Sequence, residues 1–260
     1  MVFCATLISS MDIENLVHLQ PSIFLLSFAV VLVAGFARGY LGFGFSSILM
    51  VALLPFIPAT QLVPFSVALE ILASSSQAPR ILPDVNRRYL AILLAASAVG
   101  VPGGVYLLSI FPEEWLRLTV YGVIFLSTSV VLASKTRSIA ITVPSLLTVG
   151  MVAGAVNGAT ALSGLVLAFF FASSTVPSRT MRATIIAYLF FTDIMTAGFL
   201  LVSNHFESPT IYRIAFVTPS LIFGVWLGSS QFLRTPSTIF KTLVRWLLLG
   251  FCVLGILQLF

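Results

Sequence analysis

Charged residues are scarce in this chain, and their scarcity excludes a soluble domain. Only 8% of the 260 residues are Asp, Glu, Lys or Arg, whereas a soluble domain carries about 25%. Hydrophobic residues make up 59% of the chain, and the mean hydropathy is +1.11. Apolar runs of about 20 residues, enough to cross a bilayer as a helix, recur from Ser22 to the C-terminus. The sequence therefore predicts an all-α polytopic membrane protein, and it lacks the alternating strands of an outer-membrane barrel.

Cysteine and histidine are almost absent, which excludes several kinds of site. The two cysteines, Cys4 and Cys252, stand far apart, and His18 and His205 are each isolated in the sequence. We therefore expect no disulfide framework, no metal site and no cofactor. The phosphate-binding pattern Gly-x-x-x-x-Gly-Lys-Ser/Thr is also missing, so the energy for any transport must come from a gradient or a partner.

The net charge of +5 comes from 13 Lys and Arg against 8 acidic residues. The basic residues lie at the ends of the apolar runs, where such residues orient a membrane protein, and we expect no nucleic-acid partner. Residues 1–21 lack a basic stretch and contain Asp12 and Glu14. We interpret them as a short N-terminal tail rather than a cleaved signal peptide.

Two glycine-rich stretches interrupt long apolar runs. Gly35–Gly44 divides the run Ser22–Ile57, and Gly150–Gly164 divides the run Ile139–Ser173. Backbone groups freed inside a bilayer are tolerated only where protein or a water-filled cavity satisfies them. A matched pair of interrupted segments is therefore the best indication in a sequence of a transporter's binding site.

The two halves of the chain also match in order, which predicts an internal repeat. The matches lie 115 positions apart at first and 124 positions apart later. The matched pairs are Gly35 with Gly150, Gly39 with Gly154, Thr60 with Thr175, Gly100 with Gly224, Gly104 with Gly228 and Pro112 with Pro236. We therefore expect a first transmembrane repeat over residues 22–135 and a second over 136–260.

The distribution of Lys and Arg predicts how the repeats are oriented. If each interrupted run is a hairpin, all basic residues except Arg117 and Arg213 fall on the inside, as short cytoplasmic loops require. This topology has about five membrane segments in each repeat, so the second repeat is inverted relative to the first, and both termini lie outside. The arms of each hairpin are short for a bilayer, which leaves open whether the hairpins span it or re-enter. The oligomeric state also stays open, and a homo-oligomer is compatible with the sequence.

The interruptions supply most of the candidate residues for binding a substrate. A helix that begins in the membrane presents free N–H groups and a partial positive charge, which attract a small anion. The candidate substrate-binding residues are Arg38, Gly42, Gly44, Ser46, Ser47, Gln77, Asn157, Gly158, Thr160, Ser163 and Gly164. Two alternatives remain. The first is that four glycines with the spacing of helix-packing residues serve only to pack helices, namely Gly35, Gly39, Gly150 and Gly154. The second is that Arg38 extends toward the cytoplasm from the open end of its hairpin.

Two carboxylates lie within apolar runs, Glu70 and Asp193. Ionisable groups at membrane depth are costly and often carry protons or contact substrate. We therefore predict a role for both in coupling, with a structural ion pair or a helix cap as the alternative. Glu70 shares a helical face with Ser74 and Gln77.

These features resemble the sulfite exporter TauE/SafE family of membrane permeases. The resemblance rests on the two glycine-rich segments, on Pro55-Phe-Ile-Pro58-Ala-Thr60, on Arg87-Arg88 before Tyr89, and on Arg182-Ala183. It covers the chain from about Ser22 to Phe260. It implies an integral protein of the bacterial inner membrane that exports sulfite or a small organosulfonate such as sulfoacetate.

The sequence thus predicts a secondary transporter for a small anion, with the lipid bilayer as its surroundings. An anion channel or passive pore is one alternative. The other is an intramembrane serine hydrolase, because Ala161-Leu-Ser163-Gly164 is similar to the Gly-x-Ser-Gly of such proteases and His205 is a candidate base. The glycine that should begin that pattern is missing, and we do not expect an enzyme.

Overall fold

The computed structural model describes residues 20–133, 141–206 and 208–232, and these ranges are helical, with no strand among them. Nine α-helices lie in this part of the chain, with one 3₁₀ turn at Leu82–Asp84. In order they are α1 (Pro21–Leu41), α2 (Phe45–Leu53), α3 (Ala59–Ile81), α4 (Arg87–Ile110), α5 (Glu113–Ala133), α6 (Val143–Thr160), α7 (Ser163–Ala172), α8 (Ser178–Val202) and α9 (Ser208–Phe232). The tail, the link between the predicted repeats and the last apolar run lie outside the described residues.

Five of the described helices are long and apolar enough to cross a membrane, namely α1, α4, α6, α8 and α9. Side-chain exposure has the pattern of a membrane protein as well. Leu25, Val99 and Trp226 are 71%, 66% and 54% exposed, whereas Arg38 and Asn157 are fully buried. Large apolar side chains therefore reach the outer surface, whereas these polar side chains lie inside among a buried apolar core. The prediction of an all-helical polytopic membrane protein is confirmed.

The helix interruptions are narrower than the sequence suggested. Helix α1 runs without a break through Gly35 and Gly39 to Leu41, and α6 runs through Gly150 and Gly154 to Thr160. The first break consists of Gly42, Phe43 and Gly44, and the second of Ala161 and Leu162. Gly35, Gly39, Gly150 and Gly154 therefore lie inside helices, and each break is confined to the end of its glycine-rich stretch.

Backbone conformation at the breaks shows why the helices end there. Gly42 and Gly44 have φ values of 85° and 93°, in the left-handed region that glycine adopts without a Cβ clash. The Gly42 N–H closes α1 by donating to the Arg38 carbonyl. At the second break Ala161 takes a φ of 58°, and a side chain makes that conformation costly by about 1–2 kcal/mol. The first break therefore has glycine where the geometry needs it, and the second contains strain.

The two arms at each break differ in length. Helix α1 has 21 residues and α6 has 18, so at about 1.5 Å per residue they extend about 31 and 27 Å, close to the bilayer core. Helix α2 has nine residues and α7 has ten, which gives only about 14–15 Å. Each pair thus has one arm of spanning length and one short arm, rather than two short arms.

Glycines bring α1 against α9 and α6 against α4. A Cβ on Gly35 would lie 3.0 Å from the Leu221 carbonyl oxygen of α9. A Cβ on Gly150 would lie 2.6 Å from the Leu93 oxygen, and one on Gly154 would lie 2.8 Å from the Ser97 Cα. Such close approach of backbones is what small residues permit in membranes. The packing interpretation of these glycines is confirmed, and it explains why they belong to helices rather than to the breaks.

A candidate anion site at the two helix breaks

Arg38 and Glu70 form a buried ion pair beside the first break. Arg38 lies in the last turn of α1 and is fully buried, with its Nε 2.7 Å from Glu70 Oε2 on α3. An Nη atom of Arg38 donates to Ser74 Oγ at 2.6 Å, and the other donates to the Gly42 carbonyl oxygen. Because the guanidinium is held inside the protein, the alternative that Arg38 extends to the cytoplasm was wrong.

Ser46 completes the polar group at this break. Its hydroxyl, in the first turn of α2, donates to Glu70 Oε1 at 2.9 Å. We call Arg38, Ser46, Glu70 and Ser74 the first cluster. It joins the end of α1, the beginning of α2 and the middle of α3. The Glu70 carboxylate balances the Arg38 charge, which lowers the cost of both in a medium of low dielectric.

A second polar group, which we call the second cluster, lies beside the other break and consists of Asn157, Ser163, Asp193 and Thr196. The Asn157 Nδ2 donates to Asp193 Oδ1 and to Thr196 Oγ1, both at 2.9 Å. Ser163 donates to Asn157 Oδ1 at 2.6 Å. An amide thus occupies the position next to the Ser163 hydroxyl where a serine hydrolase needs a base.

Asp193 differs from Glu70 in its surroundings. It is 1% exposed, and its Oδ2 has no hydrogen-bond partner in the described part of the chain. Within the same ranges no Lys or Arg forms an ion pair with it, since the ion pairs found there are Arg38–Glu70 and Arg117–Glu113. Burying an unpaired carboxylate is costly. The second cluster therefore contains one acidic group that forms no ion pair within the described residues.

The two clusters lie next to each other. A Cβ on Gly164, at the start of α7, would lie 3.2 Å from the Phe43 Cβ in the first break. The charges of both Glu70 and Arg38 act on Asp193. Neither α2 nor α7 has a side-chain N-cap. Two helix N-termini without caps therefore lie close to one cation and two carboxylates in the interior.

Other predicted residues lie at the edge of this region. Gln77 turns toward α9, where its Nε2 donates to Ser229 Oγ at 3.0 Å. Gly158 packs on α4, since a Cβ there would lie 2.5 Å from the Val101 oxygen. The Thr160 hydroxyl donates to the carbonyl of Val156 one turn earlier. Ser47 is buried in α2. Gly158 and Thr160 therefore have structural roles in α6.

Three residues of this region, Ser74, Thr196 and Arg182, were given no binding role from the sequence, although Ser74 was placed on the helical face of Glu70. Ser74 follows Glu70 by four positions and Thr196 follows Asp193 by three, so helical spacing was a usable signal for both. Arg182 gave no such signal because it resembles the basic residues that set topology. It donates from Nη2 to the Gly39 oxygen at 2.5 Å and from Nε to the Tyr40 oxygen at 3.1 Å. Arg182 thus satisfies carbonyl groups at the C-terminal end of α1.

Comparison with known proteins gives a family match. No curated protein and no solved structure matches this chain. The family described as Sulfite exporter TauE/SafE matches residues 27–258. This match covers both breaks, both clusters and all the helices described here except the first turns of α1. The chain therefore belongs to the TauE/SafE sulfite exporter family of membrane transporters.

Proposed function

We propose that this protein is a secondary transporter that exports sulfite or a small organosulfonate such as sulfoacetate. The observation that carries the proposal is the Arg38–Glu70 pair beside the uncapped N-terminus of α2. A guanidinium matches the oxygen geometry of a sulfur oxyanion. Free N–H groups at a helix N-terminus add donors without adding a charge. Family membership supports transport of this class of anion and leaves the particular substrate to experiment.

The pairing of Arg38 with Glu70 suggests how binding and protons are linked. While Glu70 is ionised, it occupies the Arg38 guanidinium and competes with a substrate anion. A proton taken up by Glu70 weakens that hold, so Arg38 becomes available to the anion. Asp193, which forms no ion pair within the described residues, is the second proton acceptor in this proposal. We therefore propose that Glu70 and Asp193 couple anion movement to protons.

Two inverted repeats remain part of the proposal, and the contacts support a revised register for them. Gly39 packs on Val225 and Ser229 of α9, and Gly158 packs on Val101 and Val105 of α4. Gly39 and Gly158 are 119 positions apart. The residues they contact are 124 positions apart, Val101 from Val225 and Val105 from Ser229. Under the predicted 115-residue offset, Gly39 would instead match Gly154, which packs on Ser97.

The same register relates the two clusters. An offset of 119 matches Arg38 with Asn157 and Ser74 with Asp193, so each matched pair occupies the same place in its cluster. One half thus has a cation where the other has an amide. We propose that movement of one repeat against the other exposes the clusters alternately. We further propose a bacterial inner membrane location with both termini outside.

Counterflow of labelled sulfite tests the proposed function. Proteoliposomes loaded with unlabelled sulfite are expected to accumulate labelled sulfite transiently, because an exchanging carrier returns loaded with label. An open anion pore would show no such overshoot. Sulfoacetate and acetate inside the vesicles are the matched comparisons, and we expect sulfoacetate but not acetate to replace sulfite. Absence of an overshoot with every sulfur anion would exclude the proposed exchange mechanism.

A further inference from the structure

A cavity of about 60 Å³ lies apart from both clusters, between α3, α8 and α9. Its inner wall includes Gln77, Arg182 and Ser229, which are all buried. Its outer wall includes Arg80 and Arg179, which are both exposed. The cavity therefore runs from an exposed basic rim to a buried polar floor, and no role has been assigned to it so far.

The charges around the cavity favour an anion. Arg80, Arg179 and Arg182 line it, against a single carboxylate, Asp84. Within the described ranges no carboxylate forms an ion pair with Arg182. Two of its nitrogens bind backbone carbonyl oxygens, and its guanidinium lies 4.2 Å from the centre of the Phe232 ring. A buried cation without a balancing charge is costly, and an anion in the cavity would supply that charge.

Gln77 gives a second indication that a ligand is missing. It is 3% exposed, and its Oε1 has no hydrogen-bond partner in the described part of the chain. Its Nε2 is fixed in place by the Gly39 carbonyl oxygen at 3.3 Å and by Ser229 Oγ. Rotating the amide would set Oε1 against the Gly39 carbonyl oxygen, which disfavours the opposite orientation. A water molecule or the O–H of a protonated oxyanion would satisfy this buried acceptor.

The size of the cavity suits a compact oxyanion. A water-sized group needs roughly 10–15 Å³ measured in this way, so about 60 Å³ holds about four to six such groups. Sulfite, with one sulfur and three oxygens, fits within this space. Sulfoacetate is longer and would extend through the open rim. The cavity volume therefore favours an anion of sulfite size.

The position of the cavity connects it to the first cluster. Arg182 on its floor binds the Gly39 carbonyl oxygen, one residue from Arg38. The charge of Arg38 also acts on Arg182. An anion held at Arg182 would thus lie on the way from the basic rim to Arg38. We infer that this cavity is an anion-binding vestibule that takes a free oxyanion of sulfite size before it reaches the clusters, an inference that rests on the proposed function.

Sulfite titration by calorimetry at low salt tests the vestibule, with protein purified in dodecyl maltoside, which has no anionic group. The test variant is Arg80→Gln/Arg179→Gln, which removes two cations from the rim. The matched control is Arg87→Gln/Arg88→Gln, which removes two exposed cations nearby in the chain that do not line the cavity. We expect the rim variant to bind sulfite about tenfold more weakly. We expect the control to change affinity less than about twofold, because charges exposed to water are screened.

Each outcome separates the vestibule from the transport function. If wild-type protein binds sulfite and the rim variant binds it equally well, the vestibule is overturned and the proposed function stands. An equal loss in the control also overturns it, since the effect would then be general surface charge. If wild-type protein binds neither sulfite, sulfoacetate nor methanesulfonate, both proposals fail. Binding of a short-chain phosphatidylglycerol that the rim variant loses, with no binding of free anions, would assign the cavity to a lipid headgroup instead.

Gln77 supplies an independent measurement at the cavity floor. Gln77→Met keeps the approximate volume and removes the unpartnered oxygen. We expect this variant to lose affinity for sulfite more than for methanesulfonate, which has no O–H to donate. An equal change for both anions would overturn the role of Gln77 in the vestibule. Thermal unfolding of each variant shows whether the fold is retained.

Discussion

The Arg38 Nε and the Glu70 Oε2 lie 2.7 Å apart, and neither side chain is more than 4% exposed. This pair joins the end of α1 to the middle of α3 at the point where the chain leaves its helical path. Removing one partner of a buried ion pair costs about 3–5 kcal/mol because the other charge is left uncompensated. The pair thus stabilises the break, and in the proposed function its guanidinium is the group that an anion takes over from the carboxylate.

Glu70→Gln separates these two effects. We expect the variant to unfold at a lower temperature, because Arg38 loses its balancing charge. We also expect sulfite to raise its unfolding temperature more than it raises that of wild type, since the anion no longer competes with Glu70. Differential scanning fluorimetry with and without sulfite measures both effects. A sulfite effect equal to or smaller than that in wild type would argue against competition at Arg38.

Asp193→Asn tests proton coupling at the second cluster. The amide keeps an oxygen for the Asn157 Nδ2 and removes an unpaired buried charge, so we expect stability to be unchanged or higher. Sulfite exchange should lose its dependence on an imposed pH gradient. The matched control is Glu114→Gln, an exposed acid on α5, and it should keep that dependence. A gradient response retained by Asp193→Asn would contradict the coupling role.

Ser163→Ala tests whether the Ser163 hydroxyl serves the structure alone or also transport. The hydroxyl donates to Asn157 Oδ1, and losing a partner of a buried polar group costs about 1–3 kcal/mol. We expect lower stability with sulfite exchange still measurable in proteoliposomes. Complete loss of exchange in a protein that remains folded would show that the hydroxyl is required for function and not only for structure.

Gly39→Ala tests the close packing of α1 on α9. A Cβ at this position would lie 2.9 Å from the Val225 Cα. The atoms nearest to it belong to the backbone of α9, which cannot move aside as a flexible side chain can. We expect a loss of stability of about 1–3 kcal/mol from overpacking. Gly103→Ala in α4 is the matched control, because a Cβ there meets nothing within 4 Å. Equal unfolding temperatures for the two variants would contradict the packing role.

Single cysteines test the proposed orientation in a background where Cys4 and Cys252 are replaced by serine. The outside loop is represented by Asn204→Cys and the inside loop by Asn86→Cys. An impermeant thiol reagent added to intact cells should label the first and not the second. Labelling of the second alone would reverse the topology and with it the side on which the basic rim lies.

Local sequence signals predicted the helices, the two breaks and many of the polar residues that line them. Helical spacing placed Glu70 and Ser74 on one face, and both contact Arg38. The extent of each break was predicted poorly, because a glycine that packs a helix and a glycine that ends one look alike in a sequence. Only the positive φ of Gly42 and Gly44 distinguishes them from Gly35 and Gly39.

Partners from distant helices were beyond the reach of sequence reasoning. Nothing in the sequence says that Arg38 meets Glu70 while Asn157 meets Asp193, because these pairs depend on how α1 and α6 cross α3 and α8. Arg182 was missed for the same reason. Its role depends on the carbonyl groups at the end of α1, which lie 143 positions earlier at Gly39.

Binding of sulfite to a protein without the central ion pair is the most direct measurement. Arg38→Gln/Glu70→Gln removes both charges and so leaves neither one unpaired. Glu113→Gln/Arg117→Gln removes the partly exposed ion pair of α5 and is the matched control. We predict that the control binds sulfite with wild-type affinity and stoichiometry. We predict that the Arg38→Gln/Glu70→Gln protein, shown to be folded by its thermal unfolding, binds fewer sulfite ions and keeps only the binding at the vestibule. Wild-type affinity and stoichiometry in both proteins would contradict an anion site at Arg38.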